Sequence, residues 1–255
     1  MLSKFTILSS AYNKGSFLRE WGDSILMQKY RPLEVIIADD VSSDNTRSVI
    51  KEIEKKFLKN EIKVKVIYNK KRLYCGSSYK NLMQYATGEY FGVVDADDAL
   101  TENAVSNIVN LYKKNPNISW IYTQFLWCNE RMRERRKGFN RAPGKNESLL
   151  DLADRGIHGI GSGWRTFSYK IIKFDKLFPE GLTCAVDKYM AYRLEELGPG
   201  LFVDKIFYKH RGHPVNSKNS VSSTKYAMKM WKKVVKKAHY RRKNYKYEPF
   251  AIIAS

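Results

Sequence analysis

Tyr90-Phe91-Gly92-Val93-Val94-Asp95-Ala96-Asp97-Asp98 is an apolar run of strand length that breaks off into three carboxylates within four residues. Its aromatic and β-branched content fits a strand buried on both faces, as in a parallel sheet. Three acids crowded at the end of such a strand repel one another unless a cation lies among them. Hard divalent ions take oxygen ligands and keep sites open for substrate phosphates, so Mg2+ or Mn2+ bridging a diphosphate suits this stretch. By itself an Asp-x-Asp is a weak signal, because acidic loops after strands often only cap the following helix.

The residues on either side strengthen it. Strands are expected at Phe5 to Ser9, Leu33 to Ala38, Lys63 to Tyr68, Tyr90 to Val94 and Trp120 to Phe125, with helical periodicity between them. Ser16 is placed to cap a helix carrying Phe17, Leu18, Trp21, Ile25 and Leu26 on one face, and Ser43-Asp44-Asn45-Thr46 opens the next. Further helices are expected near Ser77 to Ala86 and Asn103 to Lys114. This alternation predicts an α/β fold in which a mostly parallel sheet is flanked by helices and the crevice lies at the carboxyl ends of the strands. The second strand also ends in acid, at Asp39-Asp40, facing the same crevice.

After Leu126 the pattern gives way to an arginine-rich loop containing Gly138, Pro143 and Gly144. A smaller α+β portion follows: a strand near Trp164 to Tyr169, a helix from Ala185 to Glu196 and a strand from Leu201 to Tyr208. The last segment sets Met228, Trp231, Val235 and Ala238 on one helical stripe with lysines opposite, a basic amphipathic tail.

The chain of 255 residues carries a net charge of +20. Most of the excess sits in two segments: seven basic residues against Glu134 alone between Arg131 and Lys145, and ten against Glu248 alone between Thr224 and Ser255. So uneven a distribution points to an anionic partner. Nothing approaches the roughly 20 consecutive apolar residues of a transmembrane segment, and the start lacks the pattern of a signal peptide, so the expectation is a cytoplasmic protein. Cys75, Cys128 and Cys184 are odd in number and far apart, which argues against a disulfide framework or a zinc knuckle.

Ser10-Ala11-Tyr12-Asn13, then Val35-Ile36-Ile37-Ala38-Asp39-Asp40-Val41-Ser42-Ser43-Asp44, Gly76, Lys80-Asn81 and Ala86-Thr87-Gly88-Glu89-Tyr90 leading into Asp95-Ala96-Asp97-Asp98 resemble, in order and spacing, the family 2 glycosyltransferases of GT-A fold. The resemblance continues to Asp187 and to Tyr208-Lys209-His210-Arg211-Gly212-His213, and spans residues 4 to 222. It implies a GT-A domain over 1–222, with a nucleotide-sugar half at 1–98 and an acceptor half at 99–222, followed by the tail at 223–255.

The resemblance also implies roles. Tyr12 lies against uracil and Asp40 reads that base, with Ser10 and Ala96 in the same stretches. Asp95 and Asp97 hold ribose and metal, and Asp98 is a neighbouring ligand or an orienting group. Lys80 stands where the family commonly has arginine, keeping the cation but losing its fork. The family's acidic pair opening a helix appears here as Val186-Asp187, so only its second acid remains, and Asp187 is the expected general base. His213 supplies a metal ligand, touches the diphosphate or packs the loop, with His210 as the alternative. Arg133, Arg135, Arg136, Trp164 and Arg211 fall on the acceptor side.

The expected activity is therefore metal-dependent, inverting transfer from a UDP-sugar to an anionic acceptor. A lipid-linked or polymeric envelope glycan is favoured, with the tail lying peripherally on anionic lipid at the inner membrane face. DNA is the second acceptor, and an inactive nucleotide-sugar or polyanion-binding module is the non-enzymatic alternative.

Overall fold

All seven residues of the strand Leu33–Asp39 are buried, as a strand covered on both faces requires. In the computed structural model, which describes residues 2–157, 160–169, 177–213, 225–245 and 249–254, it is the second strand of one ten-stranded sheet. The elements run β1 (Phe5–Ala11), α1 (Leu18–Leu26), β2 (Leu33–Asp39), α2 (Thr46–Lys59), β3 (Ile62–Tyr68), α3 (Tyr74–Met83), β4 (Tyr90–Val93), β5 (Ala99–Leu100), α4 (Ala104–Lys114), β6 (Trp120–Cys128), β7 (Glu134–Lys137), α5 (Leu149–Asp154), β8 (Arg165–Ser168), α6 (Val186–Leu197), β9 (Gly200–Arg211), α7 (Lys225–Tyr245) and β10 (Ile252–Ala254). The α/β expectation holds.

Across the sheet the order is β10-β9-β6-β8-β4-β1-β2-β3, with β5 pairing β9 and β7 pairing β6. Strands β3, β2, β1 and β4 are parallel, and so are β6, β9 and β10. Between these blocks β8 runs antiparallel to both β4 and β6, which welds the two halves into one surface.

Strand pleat sorts the core into two layers. Ile7, Val35 and Ile37 turn toward Trp21, Phe57 and Ile108 of α1, α2 and α4. Leu8, Ile36 and Phe91 turn toward Tyr79, Leu152, Met190 and Val234 of α3, α5, α6 and α7.

Strands β5, β7 and β10 and helix α5 were not expected, and α3 and α7 differ from expectation in placement. Helix α3 begins at Tyr74, three residues before the expected Ser77, because the carboxylate of Asp40 accepts the amides of Leu73 and Tyr74 at 2.8 and 2.9 Å. An acid just past the end of β2 thus caps α3 from a distance.

The tail helix α7 docks on α5 and α6, with Val234 and Ala238 fully buried, Val235 partly so and Met228 exposed. Arg241 Nε donates to Glu196 Oε2 at 2.9 Å and Arg242 Nη2 to Glu195 Oε2 at 2.6 Å. These two ion pairs rotate the helix so that Val234 faces inward. Beyond it β10 extends the sheet alongside Gly200 to Phe202. No helix of the described residues is long and apolar enough to cross a membrane.

Candidate active site

The acidic stretch after β4 folds into a turn closed by the amide of Asp98 donating to Asp95 O at 3.0 Å, and this turn sends its three carboxylates to three different places. Asp95 faces the central pocket, where Tyr79 Oη donates to it at 2.9 Å. Burial, then Asp98 and Asp97, push its pKa up to about 6. Asp97 Oδ2 receives Lys14 Nζ at 2.5 Å and lies 2.9 Å from His213 Nε2. Burial opposes its charge, but the His213 hydrogen bond and Lys14 hold its carboxyl far below the usual range.

Asp98 turns toward β9. It is 2% exposed and accepts from Tyr208 Oη at 2.7 Å and the Arg211 amide at 2.7 Å, with His210 Nδ1 at 3.1 Å. Of the two roles expected for Asp98, neighbouring ligand or orienting group, these contacts describe the second: its oxygens fasten β9 to the turn. Burial disfavours the imidazolium of His210, yet Asp98 outweighs it and raises the pKa of His210 to about 9.

The other expected residues can be located one by one. Ser10 donates to Ser78 Oγ at 2.7 Å. Tyr12 is 42% exposed, and the guanidinium of Arg72 covers its ring, 3.0 Å from the centroid. Asp40 is saturated, accepting from Asn69, Leu73 and Tyr74 and pairing with Arg72 Nε at 3.0 Å. Ala96 buries its methyl in the core, so only its backbone lies in the acidic turn. Lys80 pairs with Glu180 across to the loop before α6.

Two residues expected on the acceptor side are buried. Trp164 is fully buried, packed on Phe5 and over Gly92, where even a Cβ would come within 2.8 Å of its ring. Arg211 is 3% exposed, donating from Nε to Asp97 O at 2.6 Å and from its other nitrogens to Glu130 O and Glu20. It is a cross-tie of the fold. Arg135 and Arg136 lie on the exposed hairpin strand β7, with Arg136 over the Trp127 ring at 5.6 Å. Arg133 borders a cleft of about 400 Å3 together with Arg131, Gly212 and His213.

The central pocket, also about 400 Å3, lies between the halves, with Asp95, Tyr79 and Cys75 on one side and Asp187 and Lys188 on the other. Asp187 is in the first turn of α6, where the helix dipole favours a carboxylate. Burial raises its pKa, but Lys188, 3.9 Å away, then Arg165 and His210, lower it overall, so the group is ionised at neutral pH. Lys14, Arg72, Tyr79, Arg165 and Lys188 were not singled out in the sequence. Lys14, Tyr79 and Lys188 adjoin Ser10 to Asn13, Lys80-Asn81 and Asp187, which was the signal available there.

A mostly parallel sheet with Tyr12, Asp40 and an acidic turn just past the carboxyl ends of the neighbouring strands β1, β2 and β4 is the arrangement of a GT-A glycosyltransferase. The chain belongs to glycosyl transferase family 2, whose sequence profile matches residues 6–174.

Chondroitin synthase of Escherichia coli is 27% identical over 246 residues, 96% of this chain and 34% of that protein. The chain therefore spans about a third of that relative. Among solved structures, S. aureus TarS 1-349 in complex with UDP-GlcNAc superposes with a TM-score of 0.72 at 18% identity, over 94% of this chain and 67% of that one. A mannosyltransferase from Pyrobaculum calidifontis, in complex with GDP-Man and Mn2+, gives 0.62 at 15% identity over 85% and 59%. These likenesses establish the GT-A fold.

Proposed function

We propose that this chain transfers a sugar from a UDP-sugar, with inversion, to a negatively charged acceptor. The observation that carries the reading is the shared pocket: Asp95, beside the nucleotide loops, and Asp187, an ionised acid on a helix N-terminus, line one cavity of about 400 Å3. That volume suits a sugar. A base seated on Tyr12 takes the place now held by Arg72.

Asp187 accepts the proton of the acceptor hydroxyl as its oxygen attacks the anomeric carbon from the face opposite UDP. The new C–O bond forms as the bond to the diphosphate breaks, and UDP leaves with the electron pair. One displacement inverts the configuration.

The donor set fits a divalent cation in part. No group of three His, Cys, Asp or Glu among the described residues is arranged to hold one. Asp97 and His213 meet, however, and His213 Nδ1 is buried with no hydrogen-bond partner. Asp97 and His213 together would hold Mn2+, and the Asp97 carboxylate would suit Mg2+. When bound, the ion neutralises charge on the leaving diphosphate. Lys14, beside Asp97, is placed to assist.

For the acceptor, Arg131 and Arg133 beside His213 and the exposed arginines of β7 favour an anionic glycan, recognised through forked hydrogen bonds. Lys229, Lys232, Lys233, Lys236 and Lys237 stand exposed on α7 and suit peripheral contact with anionic lipid. Release of UDP from UDP-glucose, UDP-galactose and the two UDP-N-acetylhexosamines with Mn2+ tests the activity. Tight UDP binding without turnover of any donor would mean a binding module. Vesicle flotation against DNA retention, across a salt series, tests the acceptor surface; a steep salt-dependent DNA shift without flotation would reverse the preference.

A further inference from the structure

The central pocket contains a cation that the reaction above does not use. Arg165 opens β8 and is 7% exposed, with its side chain in the pocket wall. The turn before it positions it. Gly163 has φ +78°, a conformation that favours glycine, and a Cβ there would come 2.7 Å from Thr123 O. Gly161, at φ +77°, offers its carbonyl to Arg165 Nη1 at 3.1 Å.

That is the one hydrogen bond of the guanidinium found among the described residues, and Nε is buried with no partner. No carboxylate of the described residues forms an ion pair with it. The nearby acids are otherwise engaged: Lys188 stands 3.9 Å from Asp187, and Tyr79 donates to Asp95. The charge of Arg165 favours the ionised forms of Asp187 and Asp95, but neither carboxylate meets its fork, and a buried guanidinium with unfilled donors is costly, more so beside the aromatic walls Phe125, Trp127, Phe139 and Phe178. A sugar hydroxyl satisfies one of its donors. A carboxylate satisfies the fork with two parallel hydrogen bonds and cancels the charge.

We propose that the sugar seated in this pocket is acidic, a hexuronic acid whose carboxylate is gripped by Arg165. This rests on the donor-site reading above and adds the substrate class to it. Asp95 and Tyr79 bound the nucleotide side, Asp187 bounds the acceptor side, and Arg165 reads the substituent at the far end of the sugar ring.

The test is isothermal titration of the full chain in Mn2+ with UDP, with UDP-glucuronic and UDP-galacturonic acid, and with UDP-glucose and UDP-galactose. The wild type is expected to bind one UDP-hexuronate at least about tenfold more tightly than the neutral sugar of the same configuration. Arg165→Met removes that preference while the affinity for UDP itself stays unchanged, and Arg165→Lys retains part of it. Equal or weaker binding of both hexuronates by the wild type overturns the proposal without recourse to any variant. So does a preference that survives in a folded Arg165→Met. If UDP alone does not bind, the donor-site reading has failed and this inference falls with it; if UDP binds and the hexuronates show no advantage, only the inference falls.

Discussion

Lys14 Nζ rests 2.5 Å from Asp97 Oδ2, the oxygen that also meets His213 Nε2 at 2.9 Å. An ammonium thus sits against the carboxylate expected to receive a divalent ion. Asp97→Asn removes the charge both partners answer. The gain in UDP affinity produced by Mn2+ is expected to disappear, a loss of about tenfold or more, with metal-free UDP binding little changed. Titration with and without Mn2+ measures it, and a variant that keeps the full gain shows that Asp97 is not a ligand.

Asp187 occupies the opposite side of the central pocket from Asp95. Asp187→Asn is nearly isosteric and cannot take a proton, so UDP binding should persist while kcat falls by roughly 10²–10⁴. Full activity in this variant would remove Asp187 from the role of base.

Glu195 is 1% exposed, and burial raises its pKa to about 7 despite the Arg242 ion pair. A carboxyl whose folded pKa exceeds its unfolded one stabilises the fold most at low pH. That contribution declines as pH rises from the unfolded value toward 7. Arg242→Ala strands the ionised acid. It should cost about 3 kcal/mol at pH 8 and clearly less at pH 5, where Glu195 is protonated. Urea unfolding at the two pH values tests the sign, and an equal cost at both refutes it.

Gly76 lies where a Cβ would stand 2.1 Å from Pro179 O, and its amide donates to Leu182 O at 3.2 Å. Gly76→Ala must push α3 away from the loop that leads into α6. A destabilisation of about 1–3 kcal/mol is expected, with a fall in kcat that exceeds any change in UDP affinity. Thermal melts and titration separate the two effects; unchanged stability would show that the loop yields freely.

The parts of the fold legible in the sequence were those fixed by neighbours along the chain. Period-two and period-3.6 patterning located β1 to β4, β6 and the helices between them, and the motif order located the crevice. The insertion of β8 between β4 and β6 was not legible, because strand order depends on pairing between segments far apart in sequence.

The same limit explains the site. Asp95, Asp97 and Asp98 are nearly identical as text, yet one turn sends them to a pocket, to Lys14 with His213, and into β9. Trp164 and Arg211 were expected on the acceptor side and are interior residues. The tail stripe was misplaced toward Met228 because the glutamates that orient the helix lie on α6, more than forty positions upstream.

The knot at Asp98 bears on how the site comes into being. Both groups expected at the cation depend on it: Asp97 is the adjoining residue, and His213 follows directly on the strand that Asp98 pins. A polypeptide halted before β9 would keep Tyr12, Asp40 and the acidic turn in its sequence and lack the Tyr208, Arg211 and His213 groups that hold Asp98 and Asp97 in place.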